Sequence, residues 1–576
     1  MCGISGCIIK NTKYLKYLKH YNNSLIKYLD KRGPDQNGSY IYNNISLNHN
    51  RLSINDLDAR SKQPFHFKNL VMIFNGEIYN FLSLKKDLIN KYDSRFIGTS
   101  DTEILIQLFY YEGIEKTLEL LNGIFSIVLY NKDLNEIIII RDRIGIKYCY
   151  YYEDDNIFMF ASNPGAIAKT LNDVNKIKFN LNNEVLFSYL SSGICLSSQS
   201  MFKNINGIDA GHFININTTN VTYKIIKWWN INLSRDSEDL KKYIKKSVEL
   251  QETGDVKKNI LYSGGIDSSV ILKFSKVSEL ITLGVGEEEI AIKYVDKYKK
   301  NIKVINANFL NKNINNFIDE QRKIINFSGI PIKSSYLMNM SGIYLNENEN
   351  NSKILLTGIG GNELFYGHRR IKLKNEGFKS HVRDLYLFLS QIKLLNNKYK
   401  KEFMIYKTNY VEKIRDQINI PENLKECNIS RWLEIQTFLI NDLLINADNI
   451  FMYYSIEARV PLLDHNIFEI VLSKEPKDFF YDFDSLGTAT WNEYITKSKK
   501  PLKEILLEDM NEEMVFKEKY SYDIERHKIH PLYLDLCNKF LERKIVGWNG
   551  TFTKYNSHLV GNIELWFQEF EYLLNY

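Results

Sequence analysis

From about Asn259 the chain follows one repeated pattern, and that pattern limits its fold more than any other feature of its 576 residues. A short apolar run, "NILY", ends in the Gly-containing turn "SGGIDSS" and passes into the helical stretch "VILKFSKV". "LITLGVG", "KVINANF" and "KILLTG" follow as further apolar runs with helical stretches between them. Strands alternating with helices predict an α/β parallel sheet with ligands at the carboxyl ends of its strands. Beyond Phe378 the pattern turns mostly helical. The first 190 residues obey another rule: "NLVMIFN", "GIFSIVLYN", "EIIIIRD", "KYCYYYE" and "NIFMFAS" are separated by turn clusters such as "NKDLN" and "EDDN", as in successive hairpins. Between them "NFLSLKKDLINKY" and "SDTEILIQLFYYEG" have helical periodicity, the second with Ser100 or Asp101 as N-cap and Glu103 in its first turn. We therefore expect a sheet-and-helix layered domain over 1–190, a connector over 191–234 and a second domain over 235–576.

Composition mainly excludes. The net charge of +6 is small for this length and Lys and Arg are scattered, so charge gives nucleic-acid binding no support. No apolar run approaches the roughly eighteen residues of a membrane span. "MCGISG" lacks the basic segment and apolar core of a secretion signal, so a cytoplasmic protein with no membrane partner is expected. The six cysteines show no C-x-x-C spacing, which argues neither a zinc site nor a disulfide framework. Five of them read as small buried hydrophobes.

Cys2 differs by its place. With Met1 removed, its thiol would lie beside its own α-amino group, whose reference pKa of about 7.7 to 8.0 lets it act as general base without a histidine. "FNGEIYN" then puts Asn75, Gly76 and Glu77 at a strand end, where an Asn side-chain N–H and a Gly backbone N–H can form an oxyanion hole. Glu77 with Asp101 could bind an α-ammonium, and Arg51 could take an α-carboxylate in a bidentate pair. Taken singly, each also reads as an ordinary turn, cap or surface residue.

Together, "MCGISG", "RGPD", "NRLSIND", "FNGEIYN", "SDTE", "LNGIFSIVLYN" and "RDRIGIKYCYYY" resemble, in one order, the class II glutamine amidotransferase domain, an α+β N-terminal-nucleophile glutaminase with αββα layers. The resemblance implies Cys2 as nucleophile, Asn75 and Gly76 as oxyanion hole, and Arg51, Glu77 and Asp101 as the residues that hold glutamine. Lys31 stands where that family usually has His.

"LYSGGIDSS" is neither a Walker A loop nor a dinucleotide fingerprint. Its physics is still that of a phosphate site: Ser263, Gly264 and Gly265 let backbone N–H groups approach an anion at a helix N-terminus, and Ser268 and Ser269 add hydroxyl donors. Asp267 would repel phosphate unless a cation such as Mg²⁺ lay between them. The stretch resembles the pyrophosphate loop of ATP pyrophosphatases. A class II glutaminase followed by this loop, by "TGIGGNELFYG" and by "SIEARVPLLD" resembles glutamine-hydrolysing asparagine synthetase over nearly the whole chain. That resemblance implies ATP and Mg²⁺ as cofactors, glutamine and aspartate as substrates, an acyl-adenylate, an internal ammonia tunnel, and a homodimer. It places the nucleotide against Leu261, Val285 and Gly358, with Lys519 of "KEKYSY" on the phosphates. "SIEARVPLLD" reads equally as a buried ion network joining helices.

One loop departs from the family. Asparagine synthetases usually carry an acid where Ile359 stands and Gly-Gly-Asp-Glu where this chain has Gly360, Gly361, Asn362 and Glu363. The first acid would assist attack by ammonia and the second would hold Mg²⁺ with Asp267. Three expectations follow: an asparagine synthetase in which Glu363 or the substrate phosphates cover the deficit, an amidotransferase for another carboxylate such as a sugar acid, a peptide or a secondary-metabolite precursor, or a glutaminase or binding protein whose ATP half is structural.

Overall fold

The computed structural model describes residues 2–195, 199–283, 288–305, 309, 316–333, 336–347, 352–368, 371, 382, 386, 388–393, 397–516, 523–553 and 556–575. Its N-terminal half stacks two six-stranded antiparallel sheets. The first runs Ile205–Gly207, Tyr150–Glu153, Ile157–Ala161, Gly3–Ile9, Ile45–Arg51, Gln36–Tyr42; the second runs Tyr223–Lys227, His212–Asn217, Glu136–Arg141, Gly123–Asn131, Leu70–Ile78, Phe65–Phe67.

Period-two alternation explains the stack. Along Leu70–Ile78, Val71 and Ile73 face the other sheet, where they meet Ile4, Leu47 and Phe160. Met72 and Phe74 face outward onto Leu84, Leu88, Leu105 and Leu108 of helices Phe81–Tyr92 and Asp101–Leu120. The unbroken "IIII" of Glu136–Arg141 follows from burial on both faces: Ile137 and Ile139 lie between the sheets, Ile138 and Ile140 under the helices. Helices Leu18–Tyr28 and Pro164–Asn175 belong to the opposite, outer layer, completing αββα. The expected connector, 191–234, is more than a linker, since Ile205–Gly207, His212–Asn217 and Tyr223–Lys227 each supply a strand to one of the two sheets. Alternation in "HFININ" is visible, but its pairing with Glu136–Arg141 is non-local.

The C-terminal half is built on a five-stranded parallel sheet in the order Asn301–Ile305, Glu279–Leu283, Lys258–Leu261, Ile354–Leu356, Glu457–Arg459. Four strands are the expected apolar runs. The fifth is charged: it comes from "SIEARVPLLD" and pairs Leu356 with Arg459. Most of the remaining described residues are helical, including a continuous rod from Ile429 to Tyr453 whose middle, Ile435–Leu444, is wound as a π-helix. No described helix is long and apolar enough to cross a membrane.

The halves dock through buried polar contacts. Arg32, 1% exposed, places Nη1 2.9 Å from Asp448 Oδ2 on the rod, and Lys147 Nζ lies 3.4 Å from Asp448 Oδ1. Asn122 donates to Asp464 at 2.8 Å, and Gly165 and Gly329 approach so closely that a Cβ on Gly165 would lie 2.9 Å from the Gly329 nitrogen. Burial pushes the Asp448 carboxyl up, but Arg32 and Lys147 outweigh it and hold it below the usual range. Asp448→Ala strands two buried cations and is expected to cost about 3–5 kcal/mol. Thermal unfolding should report a clearly lowered midpoint, whereas Lys116→Ala, at an exposed pair with Glu119, should leave it unchanged.

Candidate functional site

Two constellations form, one near the carboxyl end of strand Leu70–Ile78 and one at the carboxyl ends of the parallel strands. The first gathers Cys2, Arg51, Asn75, Gly76, Glu77 and Asp101. Cys2 lies just ahead of strand Gly3–Ile9, and Asn75 to Glu77 lie near the carboxyl end of strand Leu70–Ile78. The Cys2 backbone N–H donates to Asn75 Oδ1 at 2.9 Å, so removal of Met1 would put the α-amine on that carbonyl. The Cys2 thiol faces the Leu52 carbonyl at 3.9 Å, and Arg32 Nε donates to the Cys2 carbonyl at 3.1 Å. Burial raises the thiol's pKa, so ionisation there needs a base at hand.

Asn75 is fully buried, and its Nδ2 donor has no hydrogen-bond partner. An orphaned buried donor costs free energy and marks a place for an acceptor. Next to it, Gly76 has φ +151°, and a Cβ there would lie 2.0 Å from the Ile124 carbonyl oxygen, so no other residue fits this approach.

The two acids have different partners. Asp101 Oδ2 accepts from the Ile78 N–H at 3.0 Å, and burial pushes its carboxyl up to about 6. Glu77 Oε2 accepts from Asn55 Nδ2 at 2.5 Å, and its Oε1 lies 3.5 Å from Arg459 Nη2. Burial raises Glu77 well above the usual range although Arg459 opposes it. Arg51 does not present a free fork. Nη1 donates to Gln36 Oε1 at 3.0 Å and to the Asp58 carbonyl at 2.9 Å, and Nη2 donates to the carbonyls of Asn55 and Asp56 at 3.3 and 2.5 Å. It thus shapes the 55–58 loop, from which Asn55 reaches Glu77.

The second constellation sits at the carboxyl ends of the parallel strands. After Leu261 the chain turns through Ser263 and Gly264, whose φ is +73°, into helix Ile266–Phe274 with Gly265 as N-cap. Ser268 Oγ accepts from the Ser263 N–H at 3.3 Å and donates to the Gly265 carbonyl at 3.1 Å, while Ser269 meets the Tyr262 hydroxyl at 3.3 Å. The loop after Ile354–Leu356 closes against this turn. A Cβ on Gly358 would stand 3.0 Å from the Ser268 nitrogen, and one on Gly361 would stand 2.3 Å from Asp267 Cγ. Gly358 and Gly361 are thus required by close packing on Asp267 and Ser268, whereas Gly360, with φ +96°, would set a Cβ 2.4 Å from Leu463. Ile359 is half-buried against the hydrophobic core. Val285 and Lys519 lie outside the described residues.

Sequence reasoning misses Lys499. Its ammonium donates to Asp267 Oδ1 at 2.7 Å, Asp267 Oδ2 at 2.6 Å and Asn362 Oδ1 at 2.7 Å, and Gly367 leaves room for its stem. Glu363 does not cover the deficit beside Asp267 as expected. It is buried next to His368, whose Nδ1 lies 3.5 Å from Glu363 Oε1 and 3.0 Å from Glu434 Oε1. The donor set for the expected Mg²⁺ is therefore one carboxylate and one amide oxygen, both bonded to an ammonium. That set does not fit a tightly held divalent cation.

Arg459 belongs to the ion network that "SIEARVPLLD" suggests, and it also links the two sites. Its Nε donates to Glu457 at 2.5 Å and its Nη1 to the carbonyls of Gln251 and Thr253 at 2.7 and 2.5 Å, while Nη2 faces Glu77. Its carbonyl accepts from the Thr357 N–H at 2.9 Å, one residue before Gly358. Apolar Leu52, Ile54, Ile354 and Met452 form a buried cluster along the same seam.

Two family models match successive parts of the chain. The family model for a glutamine amidotransferase domain matches residues 1–229, and that for asparagine synthase matches 239–544. Glutamine-hydrolysing asparagine synthetase 1 of Bacillus subtilis is 24% identical over 529 residues, covering 83% of this chain and 82% of its own. Asparagine synthetase 2 of the same organism is 30% identical over 295 residues, covering 48% of this chain and 38% of its own. A protein named amidase chry2 of Gibberella zeae is 24% identical over 575 residues, covering 83% of each. With a glutaminase-type half and a synthetase-type half matched in this order, the chain belongs to the glutamine-hydrolysing asparagine synthetase family and is a carbon–nitrogen ligase that takes its amide nitrogen from glutamine.

Proposed function

We propose that the protein converts aspartate to asparagine through an acyl-adenylate, with ammonia from glutamine delivered across the domain interface. In the first half-reaction the Cys2 thiol gives its proton to the α-amine and attacks the amide carbon of glutamine. The oxyanion takes hydrogen bonds from Asn75 Nδ2 and the Gly76 backbone, ammonia leaves, and water hydrolyses the thioester to glutamate. Asp101 and Glu77 bind the α-ammonium of glutamine. The carboxylate end is the partner expected for Arg51, which would have to share its loop contacts. The orphaned Asn75 donor beside the Cys2 nitrogen is the single observation that carries this half.

In the second half-reaction an aspartate carboxylate oxygen attacks the α-phosphorus of ATP and pyrophosphate leaves. Ammonia then attacks the acyl carbon, AMP leaves and a proton is lost. Ser263, Gly264, Gly265, Ser268 and Ser269 cradle the phosphates, with Leu261, Gly358 and, by family resemblance, Val285 and Lys519 around the nucleotide. Neutral ammonia suits the apolar Leu52–Ile54–Ile354–Met452 seam, which begins beside Cys2 and ends on the strand that leads to Gly358.

A second acceptor class is favoured by Ile359. An apolar, half-buried side chain where the family places an acid suits a carboxylate whose neighbouring groups are less charged than those of aspartate. The match to amidase chry2, over 83% of each chain, is consistent with acceptor variety among relatives. Pyrophosphate release with ATP and a panel of carboxylates decides between the two: turnover dependent on aspartate supports the first, turnover with another acceptor alone supports the second, and none with any acceptor defeats both.

Cys2→Ala should abolish glutamine-dependent product formation while ammonium salts still support it. Loss of both activities would contradict a two-site enzyme. Asn75→Ala should lower kcat for glutamine hydrolysis by about 10²–10³. Because burial lifts Asp101 to about 6, its carboxylate is fully charged only above that pH. KM for glutamine should therefore rise as pH falls through about 6, and Asp101→Asn should flatten that rise.

A further inference from the structure

We propose that Lys499 is a built-in cation of the phosphate site, standing where a second carboxylate and a divalent ion would otherwise be needed. The inference rests on the nucleotide-binding reading above and concerns how that site balances charge. Three observations carry it. The Lys499 ammonium makes three hydrogen bonds of 2.6–2.7 Å, and these engage both Asp267 oxygens and the Asn362 amide oxygen. Its side chain is 10% exposed, and it is held from both sides: Gly367 packs on its Cε, and its own backbone takes φ +59° as the N-cap of helix Lys500–Leu507. A flexible lysine left to solvent would not be fixed in this way. Neighbouring Lys503 is engaged elsewhere, donating to the carbonyls of Ile495 and Thr496 at 2.9 and 2.5 Å, so of these two lysines it is Lys499 that faces the loop.

The chemistry follows from the donor set. An aspartate at 362 would leave two carboxylates against one ammonium, a net negative cage that attracts a divalent ion. Asparagine leaves one carboxylate against one ammonium, a neutral cage with no excess charge for such an ion. When triphosphate arrives above Ser263–Gly265, the ammonium can turn from Asp267 to phosphate oxygens over a short distance, because both groups lie at the same helix N-terminus. Asn362 then serves as a neutral acceptor that keeps Lys499 oriented without competing for it by charge.

The test is metal and nucleotide binding to the intact protein, read without turnover. Mn²⁺ is titrated into the nucleotide-free protein and free ion is followed by electron paramagnetic resonance. Lys499→Met and, independently, Asn362→Asp should each raise Mn²⁺ affinity over the wild type by about tenfold or more, the scale of a single charge-assisted hydrogen bond. Wild-type protein that binds Mn²⁺ as tightly as both variants overturns the proposal. In the second arm, ATP is titrated in the presence of EDTA and heat is measured. Lys499→Met should weaken this metal-free binding by about tenfold or more, with circular dichroism showing both variants folded. Unchanged metal-free affinity overturns the proposal while leaving the nucleotide reading in place. Failure of every protein to bind ATP, with or without Mn²⁺, overturns both.

Discussion

The guanidinium of Arg459, fully buried between the two halves, is the contact on which the geometry of both sites depends. A charge removed from water must be matched on all sides, and breaking such a match is costly. Here Glu457, Glu77 and the carbonyls of Gln251 and Thr253 supply the match, so residues from the glutaminase half, the edge of the parallel sheet and the helix before it are drawn to one point. The same residue's carbonyl receives Thr357 and thereby sets where the Gly358–Gly361 turn begins. Glutamine bound at Glu77 and nucleotide bound beside Gly358 would each be felt through this one residue. Arg32, Lys147 and Asp448 repeat the principle farther along the interface.

The two sites manage charge differently. Around Cys2, burial dominates: it raises the thiol and both acids, and it leaves an amide donor without an acceptor. Such a pocket is suited to a zwitterionic ligand that brings its own ammonium and carbonyl. Around Asp267 the pocket balances itself, with an ammonium, a carboxylate and an amide in mutual contact. Arriving phosphates would have to break that contact, which ties nucleotide binding to a rearrangement of Lys499.

Much of this architecture is legible in the sequence. The change of pattern near Asn259 marks the second sheet, the alternation in "NLVMIFN" and "EIIIIRD" marks strands, and the motif order from "MCGISG" to "RDRIGIKYCYYY" implies the αββα layers, with Cys2, Asn75 and Gly76 brought together. Helices Leu18–Tyr28 and Pro164–Asn175 are not legible, because lysine, asparagine and tyrosine blur the apolar stripe in "LKHYNNSLIKY" and small residues blur it in "PGAIAKTLNDVN". The charged strand Glu457–Arg459 is hidden for a related reason: its ionic partners include a residue of another domain, so its residue types follow the ion network and not the strand propensity scale.

By itself, then, the sequence determined which candidate chemistries to look for, since a cysteine at position 2, an Asn-Gly corner and a Ser-Gly-Gly turn are each made of adjacent residues and stand in one motif order. It also exposed what is missing at Ile359 and Asn362. Only the tertiary structure decided how these parts are joined and compensated: that Arg51 spends its donors on a loop, that Arg459 reaches Glu77, and that Lys499 fills the gap beside Asp267 from 232 residues away. Local motifs are fixed by bonds along the chain, whereas charge compensation is satisfied by whichever residue folding brings within about 3 Å of the unmatched group, and nothing in the spacing of a sequence specifies that.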